Sequence, residues 1–458
     1  MDYDVIVIGG GSAGYAAARI AQNLGARVAI IDKGPLGGLC ILRGCMPTKT
    51  ILRSSDIMSL MRRAKEFGLR ASNLHANFTE INDRKQALIK EFADYRIEQL
   101  KNPRFTLIRG TAQFIDRNTV KVGRQNITAR SFIIGTGSVV ANVPIPGLSE
   151  VGYITSDEAL EMRTLPKSII VLGGGAVATE FAQFFCRLGT RTTLIQRSNH
   201  IFSGSDEDLA RPIENRFREE GMKAFTGTQI QKFTSNRGIK TAHFKHEDKM
   251  RKASAKVILQ AMGRVPHLKP LHLENAGVQI ENGRIAVDES MRTSSPNIYA
   301  AGDCTGLYEI VHIAIQQGEI AGHNAVKGTK KQNIDYRLKA EVVFTDPQLA
   351  SVGLTEKECH AQSIPYRVAS YPFDDHGKSM VLGETHGFVK ILCHPTSGEI
   401  IGAHIVGPEA GELLHELIAI MHFHGTVHDL MRIPHYHPTL AEILTYPAED
   451  LAEEIQSS

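Results

Sequence analysis

Two copies of one nucleotide-binding unit, a buried strand running through a glycine loop into a helix, stand in this sequence. In the first, Val5-Ile6-Val7-Ile8 is a continuous apolar run, the pattern of a strand covered on both faces. Gly9-Gly10-Gly11-Ser12-Ala13-Gly14 follows, then an alanine-rich helical stretch to near Leu24 with Gly25 as its C-terminal cap. The next strand, Arg27–Ile31, ends at Asp32. In such a unit Gly9, Gly11, Ser12 and Gly14 let the backbone approach a pyrophosphate at the helix N-terminus, and Asp32 accepts ribose hydroxyls. The other reading is a tight strand-to-helix turn that holds no ligand. The second copy begins with Ser168–Leu172 and continues as Gly173-Gly174-Gly175-Ala176-Val177-Ala178, with Gly173, Gly175 and Ala178 at the fingerprint positions. Its helix runs to Leu188-Gly189, and the strand Thr192–Ile195 ends in Gln196-Arg197, with no acid for a ribose 2′-hydroxyl. Arg197, with His200 nearby, can face a 2′-phosphate instead and so favours NADPH; the alternative is a solvated surface arginine. A simple dehydrogenase needs one such unit, whereas a two-cofactor enzyme needs two.

At 458 residues the chain exceeds what one core supports, so about three domains are expected. With 52 basic against 49 acidic side chains the net charge is only +3, and no basic block points to nucleic acid or an anionic membrane. No apolar run reaches bilayer length. Met1-Asp2-Tyr3-Asp4 runs directly into a strand, leaving no room for a signal peptide. Six cysteines are too sparse for a disulfide framework, so a reducing cytoplasm fits best. In that setting a close cysteine pair is more often catalytic or metal-binding than structural. Residues 51 to about 100 read as solvated helices with one buried stripe.

Such a pair lies in Gly37-Gly38-Leu39-Cys40-Ile41-Leu42-Arg43-Gly44-Cys45-Met46-Pro47-Thr48-Lys49. If the segment is helical, Cys40 and Cys45 are a little more than one turn apart and both sulfurs can face one side. A helix start also stabilises a thiolate. Taken alone, the spacing fits chance or a structural role equally well. The run resembles the redox-active disulfide of the flavin-dependent pyridine nucleotide–disulfide oxidoreductases, which include dihydrolipoamide dehydrogenase, glutathione reductase and mercuric reductase. There a proline and a lysine follow the second cysteine, as Pro47 and Lys49 do here; Leu39, Leu42 and Arg43 depart from the family pattern. The resemblance implies that Cys45 lies nearest the flavin, that Cys40 exchanges with substrate, and that Lys49 pairs with Glu180 on the helix after the second glycine loop.

It also organises the rest of the chain. Phe132-Ile133-Ile134-Gly135-Thr136-Gly137-Ser138 resembles the strand that closes the first flavin segment, with Thr136 and Gly137 at the cofactor, and Pro144–Gly147 reads as a linker. Thr293–Asp303 resembles the second flavin segment, in which Gly302 and Asp303 lie at the FAD ribityl chain, and residues 310–326 read as the helix behind it. From Tyr336 onward, strands and a helix over 411–424 resemble the dimerisation domain. The expected fold is α/β: two Rossmann-like dinucleotide domains, the FAD domain split in sequence, plus a C-terminal α+β dimerisation domain. The boundaries are 1–147 for the first FAD segment, 148–268 for the NAD(P) domain, 269–335 for the returning segment and 336–458 for dimerisation.

The chain's last block carries His435-Tyr436-His437-Pro438-Thr439-Leu440-Ala441-Glu442. The resemblance makes His437 the base, held by Glu442 and offered across a homodimer interface to the cysteines of the partner subunit. Reducing a disulfide releases a thiolate and oxidising a dithiol removes a proton, so a histidine near neutral pKa serves both directions. Metal binding is the competing reading of His415, His422, His424, His428, His435 and His437, although no cysteine or carboxylate cluster completes a ligand set. Cys186, Cys304, Cys359 and Cys393 are isolated and expected to be small buried residues.

The implied activity moves electrons between NAD(P)H, FAD, the Cys40–Cys45 disulfide and a small or protein-bound dithiol or disulfide. The histidine segment looks closest to dihydrolipoamide dehydrogenase, and Gln196-Arg197 points toward an NADPH-dependent disulfide reductase. Mercuric reductases carry a C-terminal cysteine pair and lack the histidine base; no cysteine follows Cys393 here, which argues against mercury as the substrate. Arg43 leaves room for an anionic disulfide. A flavin oxidase or electron-transfer protein that does not use the cysteines, and a structural protein without flavin, are the readings from other classes.

Overall fold

Four consecutive apolar side chains at Val5–Ile8 leave a strand no polar face, and in the computed structural model all four are buried in mid-sheet. The structure describes residues 1–328 and 330–457. They divide into two compact units. One is built from Met1–Thr50, Asn82–Asn142 and Gly263–Asp335; the other from Ile51–Ile81, Val143–Met262 and the chain from Tyr336 onward.

The first unit opens with β1 (Tyr3–Ile8), α1 (Ser12–Asn23) and β2 (Val28–Asp32). Next come α2 (Gly38–Arg43), the start of α3 (Cys45–Arg62) and most of α4 (Phe78–Leu100). β3 (Phe105–Arg109), β4 (Ala112–Asp116), β5 (Thr119–Val122) and β6 (Gln125–Ile134) complete its first part. The parallel order is β3-β2-β1-β6, and Ile298–Ala300 adds to β6 on its outer side. Register is fixed by Ile6 opposite both Ala29 and Phe132. β4 and β5 form an antiparallel hairpin on the first half of β6. The strand order reverses between β1 and β6, so a crevice opens at their carboxyl ends, the place where ligands bind in open α/β sheets. Behind it α1 and the helix Val311–Lys327 cross closely. A Cβ at Gly318 or Gly322 would run into the carbonyls of Ala13 and Ala17, so only glycine permits that approach.

In the second unit a four-stranded parallel sheet has the order Lys223–Phe225, Arg191–Ile195, Ser168–Leu172, Val257–Gln260. An antiparallel three-stranded sheet over Gln229–Asn236, Ile239–His246 and Lys249–Ala255 accompanies it; the sequence reading had no account of this element. Phe181, Phe184 and Phe185 on the helix Ala176–Arg187 fill the core beneath the parallel sheet. Each such side chain contributes about 1.5–3 kcal/mol by leaving water. A five-stranded antiparallel sheet carries the helices Ala410–His422 and Thr445–Gln456, with Leu414, Leu417, Met421 and Leu451 buried between them. Among the described residues no helix is long and apolar enough to cross a membrane.

The doubly wound pattern expected from the two glycine units is therefore present in each unit. Helix ends differ from expectation by one or two residues, as at Ala410–His422 against 411–424. Cys304, Cys359 and Cys393 are buried as expected, but Cys186 is only partly so. It lies at the last turn of its helix, with Sγ 3.5 Å from the Glu220 carbonyl oxygen, and burial with the nearby Glu220 charge pushes its thiol up to about 11.

Candidate active site

α1 begins at the crevice without a side-chain cap, so its first N–H groups are available to a ligand. A Cβ at Gly14 would collide with the Gly9 carbonyl, and one at Gly9 with that of Gly135, so the loop closes onto the end of β6 only as glycine. Asp32, at the end of β2, is aimed by two backbone donors: Gly10 N–H reaches Oδ2 at 2.7 Å and Gly34 N–H reaches Oδ1 at 2.6 Å. The Thr136 hydroxyl is buried without a protein partner, an orphaned polar atom that a bound ligand would satisfy. Gly302 and Asp303 follow the strand Ile298–Ala300, and Asp303 Oδ2 accepts Ser138 Oγ–H at 2.7 Å. Arg264 in turn donates through Nε to Ser138 Oγ at 2.8 Å. This Arg264–Ser138–Asp303 relay was not foreseen: Asp303 was expected at the ribityl chain and Ser138 lay beside Thr136 and Gly137, but Arg264 carried no sequence signal. Gly9, Gly11, Ser12, Gly14, Asp32, Thr136, Gly137, Gly302 and Asp303 thus gather at one crevice, and the cradle fits a dinucleotide such as FAD.

The cysteine segment abuts this loop: a Cβ at Gly38 would stand 2.8 Å from the Gly11 Cα, and one at Gly11 3.9 Å from the Gly38 Cα. It is helical, but not as one helix. α2 ends at Gly44, and Cys45 is the first residue of the 18-residue α3. Cys45 therefore sits at a helix N-terminus, where the partial positive charge favours a thiolate. Neither cysteine is in a disulfide; Cys40 is half-buried and Cys45 exposed. A hydrogen bond to Cys45, followed by burial and the neighbouring sulfur's charge, holds the Cys40 thiol far above its ordinary range, with Lys49 pulling weakly the other way.

In the second unit Gly175 precedes the helix Ala176–Arg187, again without a side-chain cap and with open space at its Cβ position. Gly173 packs on Ala178, whose side chain is fully buried. Gln196 stands where Asp32 stands in the first copy, against the middle glycine of the loop, Gly174. Its Oε1 accepts the Arg197 N–H at 3.0 Å, while the Arg197 side chain is exposed. His200 Nδ1 donates to the Ile201 carbonyl at 2.7 Å, which ties its ring to its own loop. Glu180, buried on the same helix, accepts the Phe344 N–H at 2.9 Å.

His437 Nδ1 lies 2.9 Å from Glu442 Oε1, and Glu442 Oε2 accepts the Thr439 N–H at 2.7 Å. The Thr439 N–H first, and then His437, hold the Glu442 carboxyl below its usual range. The imidazole is 82% exposed, so Nε2 faces outward. Two other histidines of this block are held by carboxylates of their own: His435 by Glu416 at 2.9 Å and His424 by Glu399 at 2.7 Å. The geometry therefore brings Cys40, Cys45 and Lys49 together in one unit and places His437 with Glu442 in the other, which also holds Glu180.

Residues 3–318 match the pyridine nucleotide-disulphide oxidoreductase family, and residues 339–448 match its dimerisation domain. A mercuric reductase from Staphylococcus aureus is 36% identical over 424 residues, covering 92% of this chain and 77% of that protein. A dihydrolipoyl dehydrogenase from Bacillus subtilis is 31% identical over 422 residues, 91% of each. Among solved structures, LpdA from Mycobacterium tuberculosis superposes with a TM-score of 0.87 at 29% identity, over 98% of this chain and 99% of its own. The HOCl-induced flavoprotein disulfide reductase RclA from Escherichia coli does so with 0.86 at 26%, over the same shares. The dimerisation domain supports a homodimer. With two nucleotide cradles, a cysteine pair at the mouth of one and matches along nearly its whole length, this chain belongs to the class I pyridine nucleotide–disulphide oxidoreductases, which use FAD and NAD(P)H.

Proposed function

We propose that the protein is a dihydrolipoamide dehydrogenase-like oxidoreductase that exchanges electron pairs between NAD(P)(H) and a dithiol or disulfide substrate through Cys40 and Cys45. The observation that carries this reading is the His437–Glu442 pair, an outward-facing imidazole oriented by a carboxylate as a general acid–base requires. FAD, when bound in the first cradle, supplies the two-electron carrier between sulfur and nicotinamide.

The substrate dithiol loses one proton to His437 Nε2, and its thiolate attacks Cys40 of the oxidised pair, breaking the Cys40–Cys45 bond and releasing Cys45 as a thiolate. The second substrate thiol then attacks the substrate sulfur of the mixed disulfide and releases Cys40, its proton passing to Cys40, so that one proton rests on Cys40 and the other on His437. Two electrons have then moved from substrate to the cysteine pair. The α3 N-terminus stabilises Cys45 as a thiolate, and Lys49 and Glu180 are residues that would steady the flavin when it is bound. His437 of one subunit serves the cysteines of the other, so an isolated subunit is nearly inactive. In the second cradle Gly173, Gly175 and Ala178 receive the nicotinamide dinucleotide.

Gln196 and the exposed Arg197 support a second reading, an NADPH-dependent reductase of glutathione-type or other small disulfides. Steady-state comparison of NADH and NADPH against lipoamide, glutathione disulfide and other small disulfides separates the two. Turnover of lipoamide with NADH supports the first, and activity confined to NADPH and glutathione disulfide the second. A yellow protein that turns over only oxygen and shows no long-wavelength thiolate–flavin band on anaerobic two-electron reduction would overturn both.

A further inference from the structure

Arg96 stands in the last third of α4 with its guanidinium 4.5 Å above the Tyr15 ring centroid. That ring is fixed by Arg104, whose Nη2 donates to the Tyr15 hydroxyl at 3.0 Å, and by an edge contact with Phe105. Arg96 Nε and Nη1 are buried and meet no hydrogen-bond acceptor, and no carboxylate pairs with the side chain among the described residues. One turn on, the Gln99 Oε1 is likewise buried and unpaired. Burial lowers the Arg96 pKa, while Tyr15 and the Cys40 sulfur, both within electrostatic reach, raise it.

A comparison within the same chain shows how unusual this is. Arg187 is buried more deeply, yet Asp56, Glu220 and Asp346 surround it with charge-assisted hydrogen bonds. Desolvating a cation without such partners is unfavourable unless something else supplies the negative charge. A π face supplies part of it, but it leaves the N–H groups unbonded. Arg96 is only half-buried as a whole, so an anion from solvent has a route to it.

Resting on the disulfide reading above, we propose that Arg96, assisted by Gln99, selects small disulfides that carry a carboxylate near the sulfur and holds them at Cys40. The carboxylate takes the acceptor role that no protein group fills, and it does so where lowered dielectric makes the pairing stronger than at an open surface. Arg96 is then a specificity residue for the thiol–disulfide step and has no part in the nicotinamide half-reaction.

The test uses the FAD-loaded enzyme with its preferred nicotinamide and two disulfides of the same skeleton, dithiodipropionate and its uncharged bis-amide. A charge-assisted hydrogen bond is worth about tenfold or more in binding, so the dianion should be favoured by about that factor in kcat/KM, chiefly through KM, and less so at high salt. Arg96→Met should remove the preference while flavin content and anaerobic reduction by nicotinamide stay unchanged. Arg96→Gln, uncharged but polar, gives the same readout should the first variant not fold, and Arg96→Lys should keep part of the preference. Equal wild-type turnover of the two disulfides overturns the proposal alone. So does a variant that keeps the preference, or one that slows both alike, which would make Arg96 a positioning group for the Cys40 thiolate. Turnover of neither disulfide overturns the proposal together with the functional reading beneath it.

Discussion

Glu442 places one carboxylate oxygen on the His437 imidazole and the other on the Thr439 N–H, at 2.9 and 2.7 Å. Both contacts favour the ionised acid and hold the Glu442 carboxyl as an anion beside the imidazole. The anion fixes the proton on Nδ1 and leaves Nε2 as the base. Replacing His437 by glutamine should reduce dithiol turnover by about 10²–10⁴ at neutral pH, as for a lost general acid–base group. Stopped-flow reduction of the flavin by nicotinamide should be unaffected; an equal loss in both half-reactions would place the histidine elsewhere in the cycle. This pair was legible in the sequence because both residues lie in one short segment, and Thr439-x-x-Glu442 is itself a capping pattern. Arg96 was not. Its distinguishing property is the lack of an acceptor, and a string of residues does not reveal what surrounds a side chain.

The cysteine segment shows the same limit for elements. Helical spacing suggested one helix presenting both sulfurs, and the structure instead breaks it at Gly44 so that Cys45 starts a new helix. Pro47 fits that arrangement, since proline is tolerated in a first turn where its missing N–H has no intrahelical partner. The joint is tight: a Cβ at Gly44 would stand 3.0 Å from both the Cys40 Cα and the Leu39 carbonyl oxygen. Gly44→Ala should therefore push α2 away from the α3 start and separate the sulfurs. Weakening of the thiolate–flavin band and of dithiol turnover, with flavin content retained, is the expected outcome; an unchanged spectrum would show that the joint absorbs a methyl group. The strand–glycine loop–helix elements form where the sequence placed them because their conformation is local. The Gly44 break depends on contacts across the turn.

At the scale of the whole molecule, the α/β class followed from the doubled nucleotide unit, whereas the grouping of residues 51–81 with 143–262 did not. That grouping depends on side chains far apart in sequence, such as Arg187 with Asp56, and the C-terminal block joins the same unit through Lys390, which pairs with Asp206, Asp208 and Glu356. Beside the lysine cluster lies His404, fully buried on the strand Ile400–Gly407, with Nε2 donating to the Leu354 carbonyl at 3.0 Å and Nδ1 unpaired. Burial, with the Lys390 charge, depresses its pKa to about 4, against a reference value of 6.5; the Leu354 carbonyl and the two aspartates oppose this only in part. Below pH 6.5 the unfolded chain binds a proton that the folded chain refuses, so stability is present above that pH and is lost as pH falls toward 4. From these two pKa values the loss is about 2 kcal/mol at pH 5. Glutamine, whose amide nitrogen reaches the Nε2 position, keeps a donor for the Leu354 carbonyl and does not titrate, so His404→Gln should flatten the acid limb. Urea unfolding at pH 7 and pH 5, on wild type and variant with equal cofactor loading, isolates the effect because carboxylate contributions common to both cancel in the difference. Wild type should lose about 2 kcal/mol more than the variant over that interval, and parallel losses would assign the acid sensitivity to the carboxylate clusters around Lys390 and Arg187 instead.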